Sequence, residues 1–211
     1  MDILGIDEAG RGSVLGPMVI AGVIVPEKMD KVLERMGVKD SKRLAPHRRT
    51  ILSRKLKKMF EYEIVVISAR EIDELRASGV NLNEIEKNAM ESIIIKLQPE
   101  KAIVDAVDVK AERFQENLCN DTGVNVVAEH KADDKYIEVS AASIIAKAER
   151  DAQIAEINKE FIKSGGIGSG YPSDPTTKEF LTSGCTRPRP RRARTAFRSG
   201  TRCGSPRWCS A

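Results

Sequence analysis

The sequence predicts an α/β fold: a mixed sheet of five strands with helices on its faces. Three observations carry this prediction. Short runs rich in β-branched residues alternate with longer stretches of helical periodicity. The first two runs follow each other directly across a glycine-rich connection, as an antiparallel pair does, before the alternation begins. Aromatic residues make up only 4% of a chain that is 41% apolar, which calls for a core of Ile, Val, Leu and Ala within 211 residues.

Residues 2–7 (DILGID) form the first predicted strand, and 18–26 (MVIAGVIVP) the second, closed by Pro26. Residues 28–36 read as a short helix. A basic amphipathic helix is expected within 41–60, beginning in earnest at Pro46, where proline suits a first helical turn. EYEIVVIS (61–68) is the third strand, and 70–77 a short helix ending near Gly79. Asn81 caps a helix over 82–97, with Glu84 three residues on and Ile85, Ala89, Ile93 and Leu97 at helical spacing, until Pro99 ends it. KAIVDAV (101–107) is the fourth strand, 109–118 a helix and 124–129 the fifth strand. An alanine-rich helix is predicted from about Tyr136 to Phe161, followed by a turn at GGIGSGYPSDP. No internal repeat appears.

The chain divides at about residue 181. Residues 1–181 form the expected folded domain, and 182–211 a basic tail. That tail holds eight of the 35 cationic residues, all arginine, and no acid, so the net charge of +4 becomes −4 for positions 1–181. The basic character therefore belongs to the tail and says nothing of what the body binds. The tail also holds Cys185, Cys203 and Cys209, leaving Cys119 alone in the body; the spacings fit no zinc pattern, and a disulfide framework is not expected. The tail is expected to be disordered, with a shifted reading frame as one origin for it. No apolar run approaches the length of about 20 residues that spans a bilayer. The N-terminus (MDILGIDEAG) has no basic region and no cleavage site, so a cytoplasmic location is expected.

Chemistry points to acids. Asp7 and Glu8 stand together at the end of the first predicted strand. Neighbours on a strand point apart, so both serve one site only if the strand stops there, and Ala9-Gly10 is read as that stop. Asp105 ends the apolar run AIVD, and Asp133 precedes the alanine-rich helix. These chain-distant acids are expected to converge on one edge of the sheet, since α/β folds place sites at strand C-terminal ends. Each alone also reads as a solvated loop charge. Together they would raise one another's pKa, a cost that hard cations such as Mg²⁺ or Mn²⁺ relieve through oxygen ligands. Two such ions about 4 Å apart stabilise the attacking and leaving oxygens of phosphoryl displacement.

Other residues are candidate substrate contacts. Gly10, Arg11 and Gly12 suit close backbone approach and a phosphate or sugar contact, or else form a simple tight turn. Ser41 and Lys42, within Lys39-Asp40-Ser41-Lys42-Arg43, suit a phosphate backbone, or else a solvated face. Tyr171, in SGYPSDP, is either a stacking platform or a residue packed on a helix edge. His47 and His130 belong to no nucleophilic triad.

Taken together, GIDEAGRGSVLGPMVIAG, KDSKRL, AIVDAVDV, EHKADDKYIEVSAASIIAKAERD and GSGYPSDPTT closely resemble the ribonuclease HII family, its archaeal members in particular, over about residues 1–181. The resemblance implies a ribonuclease H-like five-stranded sheet with a C-terminal helical segment. It implies an endonuclease that hydrolyses RNA–DNA hybrids, or DNA duplexes containing ribonucleotides, on the 5′ side of a ribonucleotide, leaving a 5′-phosphate and a 3′-hydroxyl. Asp7, Glu8, Asp105 and Asp133 would be its catalytic and metal-site acids, with Mn²⁺ or Mg²⁺ as cofactor. Gly10, Arg11 and Gly12 would sense the 2′-hydroxyl, Tyr171 would stack on the junction sugar, and Ser41 and Lys42 would also contact substrate. Such an enzyme, expected as a monomer, removes misincorporated ribonucleotides and RNA primers. The tail departs from the family pattern. Two readings from other classes are a transposase or resolvase, which would cut all-DNA duplexes, and a nonenzymatic nucleic-acid binder, which would leave the acid cluster without a purpose.

Overall fold

A computed structural model describes residues 2–39 and 44–184. Its five-stranded sheet has the order β3-β2-β1-β4-β5. The strands are β1 (Asp2–Ala9), β2 (Met18–Pro26), β3 (Tyr62–Ile67), β4 (Lys101–Asp105) and β5 (Asn125–Glu129). β1 pairs antiparallel with β2 and β2 with β3, whereas β1, β4 and β5 run parallel. The helices are α1 (Asp30–Met36), α2 (Pro46–Met59), α3 (Ala69–Ala77), α4 (Leu82–Leu97), α5 (Ala111–Thr122), α6 (Ala132–Lys135), α7 (Ile137–Glu160) and α8 (Pro175–Gly184).

The period of two along the strands sorts the core into layers. On β2, Val19, Ala21, Val23 and Val25 face α7, α2 and α1, packing with Ile144, Ile145, Leu52, Leu56 and Leu33. Met18 and Ile20 face the other way, joining Leu4 and Ile6 of β1 against α4 and α5 through Ile85, Met90, Ile93, Phe114 and Leu118. Each such Ile or Leu, fully buried, contributes about 2 kcal/mol relative to exposure. Gly5, between Leu4 and Ile6, faces α7. A Cβ there would lie 2.2 Å from the carbonyl carbon of Glu138 and 2.5 Å from the amide nitrogen of Val139. The missing side chain is what lets the first turn of α7 sit directly on the central strand.

Local signals set the helix ends. The Asn81 side chain accepts the Glu84 amide at 3.0 Å and starts α4. Gln98 turns left-handed (φ 45°) just before Pro99, where the helix stops. Pro46 opens α2 as expected.

Some boundaries differ from the sequence expectation. β1 does not stop at Asp7 but runs on to Ala9, because β2 keeps pairing with it as far as Ala9–Val19. β4 ends at Asp105 rather than 107, and the helix after it occupies 111–122 rather than 109–118. The short helix α6, carrying Asp133, was not anticipated. α8 continues to Gly184, past the expected division at 181. The expectation of disorder for the tail otherwise falls on residues 185–211, outside the described residues. Among the described residues, no helix is long and apolar enough to cross a membrane.

Candidate metal centre

β1 and β4 are neighbours at the middle of the sheet, and their C-terminal ends carry the acids. Asp7, Glu8 and Asp105 each offer one carboxylate oxygen within 4.8 Å of the others. The strand alternation is not broken to achieve this. Asp7 faces α7, where Ser143 hydrogen-bonds it and Lys147 lends positive charge; Glu8 faces α4, where the charges of Glu86 and Arg11 act on it. The two side chains meet because the β1–β4 ladder ends at Ile6–Val104. Beyond that rung β4 has a single residue left, Asp105, so the carboxylates of Asp7 and Glu8 can meet at its end. The Glu8 amide donates to Asp7 Oδ1 at 2.9 Å, curling the Asp7 carboxylate toward its neighbour.

Asp105 joins them from β4. Its Oδ1 accepts the Ala132 amide at 2.9 Å. Lys131, left-handed at φ 57°, turns the chain from β5 into α6 and aims that amide. Asp133 follows on α6, buried, and its negative charge helps to raise the Asp105 pKa. Asp133 thus lies beside the three-acid group without being counted in it. Its carbonyl accepts the Ser140 hydroxyl.

Electrostatics mark the cluster as charge-crowded. Burial, then the charge of Glu8, pushes Asp7 well above the usual carboxylate range, against the opposing Ser143 hydrogen bond and Lys147. Burial, then Glu86 and Asp105, lifts Glu8 to about 7. Burial raises Asp105, partly countered by the Ala132 amide. Glu8 Oε2 is buried with no hydrogen-bond partner. A set of close, hard oxygen donors with one such oxygen unserved by the protein fits a divalent cation.

The candidate substrate residues fall on two loops tied together. In the 10–17 loop, Gly10 has φ 98°, and a Cβ there would meet Pro17 O at 2.5 Å and Arg150 Nε at 2.6 Å. Gly12 has open space where a Cβ would stand. The Arg11 guanidinium is tied back to the protein: it donates to Glu86 Oε2 at 2.6 Å, Asn83 Oδ1 at 2.7 Å and Val107 O at 3.3 Å. Tyr171 is half-buried under the Arg150 guanidinium, 4.5 Å from its ring centroid, so one ring face is already covered. Arg150, buried on α7, donates to Leu15 O, Pro17 O and Ser169 O, while Gly170 O accepts the Val14 amide at 2.8 Å. Ser41 and Lys42 lie outside the described residues.

Four residues near the site were not singled out from the sequence: Glu86, Ser143, Lys147 and Arg150. Glu86 left a signal, an acid on the buried stripe of α4, four residues before Met90 and seven before Ile93. The other three are polar interruptions of an alanine-rich helix, spaced four and three apart on one face.

The model of the family described as ribonuclease HII matches residues 4–199. The chain belongs to the ribonuclease HII family. The ribonuclease HII of Methanobrevibacter smithii is 81% identical over 183 residues, covering 87% of this chain and 88% of the relative. That of Methanothermobacter thermautotrophicus is 55% identical over 184 residues, covering 87% and 89%. Among solved structures, the ribonuclease HII of Archaeoglobus fulgidus, in a complex with PCNA, is 46% identical with a TM-score of 0.77, covering 86% of this chain and 88% of that one. The ribonuclease H2 of Pyrococcus horikoshii is 42% identical with a TM-score of 0.78, covering 87% of both. As a ribonuclease HII the chain is a type 2 ribonuclease H, a metal-dependent nuclease, with the ribonuclease H-like sheet expected from its sequence.

Proposed function

We propose that this ribonuclease HII hydrolyses the RNA strand of RNA–DNA hybrids, including single ribonucleotides embedded in duplex DNA, cutting on the 5′ side of the ribonucleotide to leave a 5′-phosphate and a 3′-hydroxyl. The observation that carries the reading is the meeting of Asp7, Glu8 and Asp105 within 4.8 Å at the ends of adjacent parallel strands. Asp133 at their side completes the proposed set.

Asp7 and Asp105 would hold divalent ions, Mg²⁺ or Mn²⁺, with Glu8 and Asp133 as the further carboxylates that would complete the site and help to position the attacking water. Bound in pairs, such ions supply charge neutralisation at the attacking and leaving oxygens. The chain's own residues do the rest. Ser143 and Lys147 fix Asp7, and the Ala132 amide fixes Asp105, so the oxygens are in place before substrate arrives. Gly10 to Gly12 bring backbone to the ribose, where the 2′-hydroxyl separates RNA from DNA. Tyr171 offers its uncovered face to the sugar at the junction, and Ser41 and Lys42 contact the phosphate backbone. Residues 1–181 act as one catalytic domain, monomeric and cytoplasmic, with 182–211 as an extension that adds salt-sensitive, nonspecific affinity.

A DNA duplex carrying one ribonucleotide, incubated with EDTA, Mg²⁺ or Mn²⁺, tests substrate and cofactor together. One cut 5′ to the ribonucleotide, only with metal and absent from an all-DNA duplex, is the expected result. Cleavage of the all-DNA duplex, or turnover in EDTA, would overturn the proposal.

A further inference from the structure

We propose that Glu86 is a positioning residue: by gripping Arg11 it holds the Gly10–Gly12 loop against the acid cluster and so sets how tightly a ribonucleotide-bearing strand binds. The inference rests on that loop contacting the ribose, as proposed above. The Arg11 guanidinium spans the Glu86 carboxylate at 2.6 Å, the Asn83 side chain at 2.7 Å and the Val107 carbonyl at 3.3 Å. Asn83 and Glu86 are three apart on α4 and share a face. Val107 lies two residues beyond Asp105. One side chain therefore ties the loop leaving β1 to the segment leaving β4, the two strands that deliver the acids.

The pair is asymmetric. The Glu86 side chain is fully buried, whereas 34% of the Arg11 side chain is exposed. Burial lifts Glu86 to about 7, against the pull of Arg11. An ion pair buried at one end is a poor source of stability, because desolvation offsets most of the attraction. Glu86 Oε1 is also buried with no hydrogen-bond partner, and Glu86 heads the charges that raise Glu8. Such an arrangement makes sense as a fixture for Arg11 next to the site. With the guanidinium fastened inward, the loop presents its backbone outward, at Gly12, where a Cβ would meet nothing within 4 Å.

The test measures kcat and KM separately on the single-ribonucleotide duplex at saturating metal for E86A, E86Q, N83A, R11A and the E86A/R11A and N83A/R11A pairs. Losing a charged hydrogen bond corresponds to about tenfold. E86A should raise KM about tenfold with kcat within about twofold. E86Q, which still accepts from Arg11, should stay within about threefold of wild type, and N83A should raise KM by about threefold. Both effects should vanish when Arg11 is already alanine. Unchanged KM in E86A, a fall in kcat alone, or penalties that persist in the R11A background would overturn the inference. N83A, at a half-buried helix position, decides the matter if E86A does not fold. A wild-type enzyme that leaves the single-ribonucleotide duplex uncut defeats the substrate reading instead, and the same variants are then read on a uniform hybrid.

Discussion

Replacing Glu8 by Gln should stabilise the metal-free protein at alkaline pH while ending catalysis. Burial, Glu86 and Asp105 lift the Glu8 carboxyl from 4.5 to about 7 in the folded state. Below 4.5 both folded and unfolded chains hold the proton, and the site costs nothing. Between 4.5 and about 7 the unfolded chain releases a proton that the folded chain keeps, so stability falls as pH rises. Above about 7 the loss is complete and amounts to up to about 3 kcal/mol. An amide carries no such charge. In EDTA, E8Q should therefore match wild type near about pH 4 and exceed it by up to about 3 kcal/mol near about pH 8.5, measured by denaturant unfolding followed by circular dichroism. Adding Mn²⁺ should narrow or reverse the gap, because a cation that binds the folded state stabilises wild type more than a variant lacking one donor. An E8Q protein no more stable than wild type at the alkaline end would refute the reasoning, since the crowding of carboxylates would then have no energetic consequence.

D105N should lose at least about a thousandfold in kcat, as removal of a group acting on the transition state does, with hybrid affinity retained in fluorescence anisotropy; turnover near wild type would remove Asp105 from the site. G5A should cost about 3 kcal/mol or more, because its Cβ would stand 2.2 Å from the α7 backbone; an unchanged melting temperature would contradict the packing. R150A strips donors from the carbonyls of Leu15, Pro17 and Ser169 and should lower stability by about 3 kcal/mol, seen in unfolding, and raise KM as the two loops separate. R150K should recover only part of this, since an ammonium cannot copy the planar fork.

The elements were legible because their signals are local. A continuous apolar run closed by Pro26 marks β2, the Asn81 cap and Pro99 bracket α4, and Pro46 opens α2. The acids were legible as strand-end residues, yet the reason given for the Asp7–Glu8 pair was wrong. The strand does not stop; its neighbour does, since the β1–β4 ladder gives out at Ile6–Val104. Where a partner strand ends is a property of register between segments about a hundred residues apart, which no local pattern encodes. Glu86 was hidden for a related reason. An acid on an apolar stripe is visible, but its partner Arg11 lies 75 residues away and becomes one only through the fold. Arg150 is similar: its four contacts are all made with loops distant or turned back upon it, and nothing in an alanine-rich helix marks which arginine faces inward.

The placing of β1 at the centre of the sheet has a consequence for how the protein comes into being. The ribosome makes this strand before its sheet partners, and β2 can pair with it early as a hairpin, but its other flank and its α7 cover emerge only after residues 101 and 137. Until β4 and α7 are made the nascent chain carries a half-paired apolar strand, and closure waits on long-range contacts that form slowly. Asp7 and Glu8 spend that interval as ordinary solvated acids, so the capacity to capture a cation arrives late, in one step, with the locking of β4 beside them.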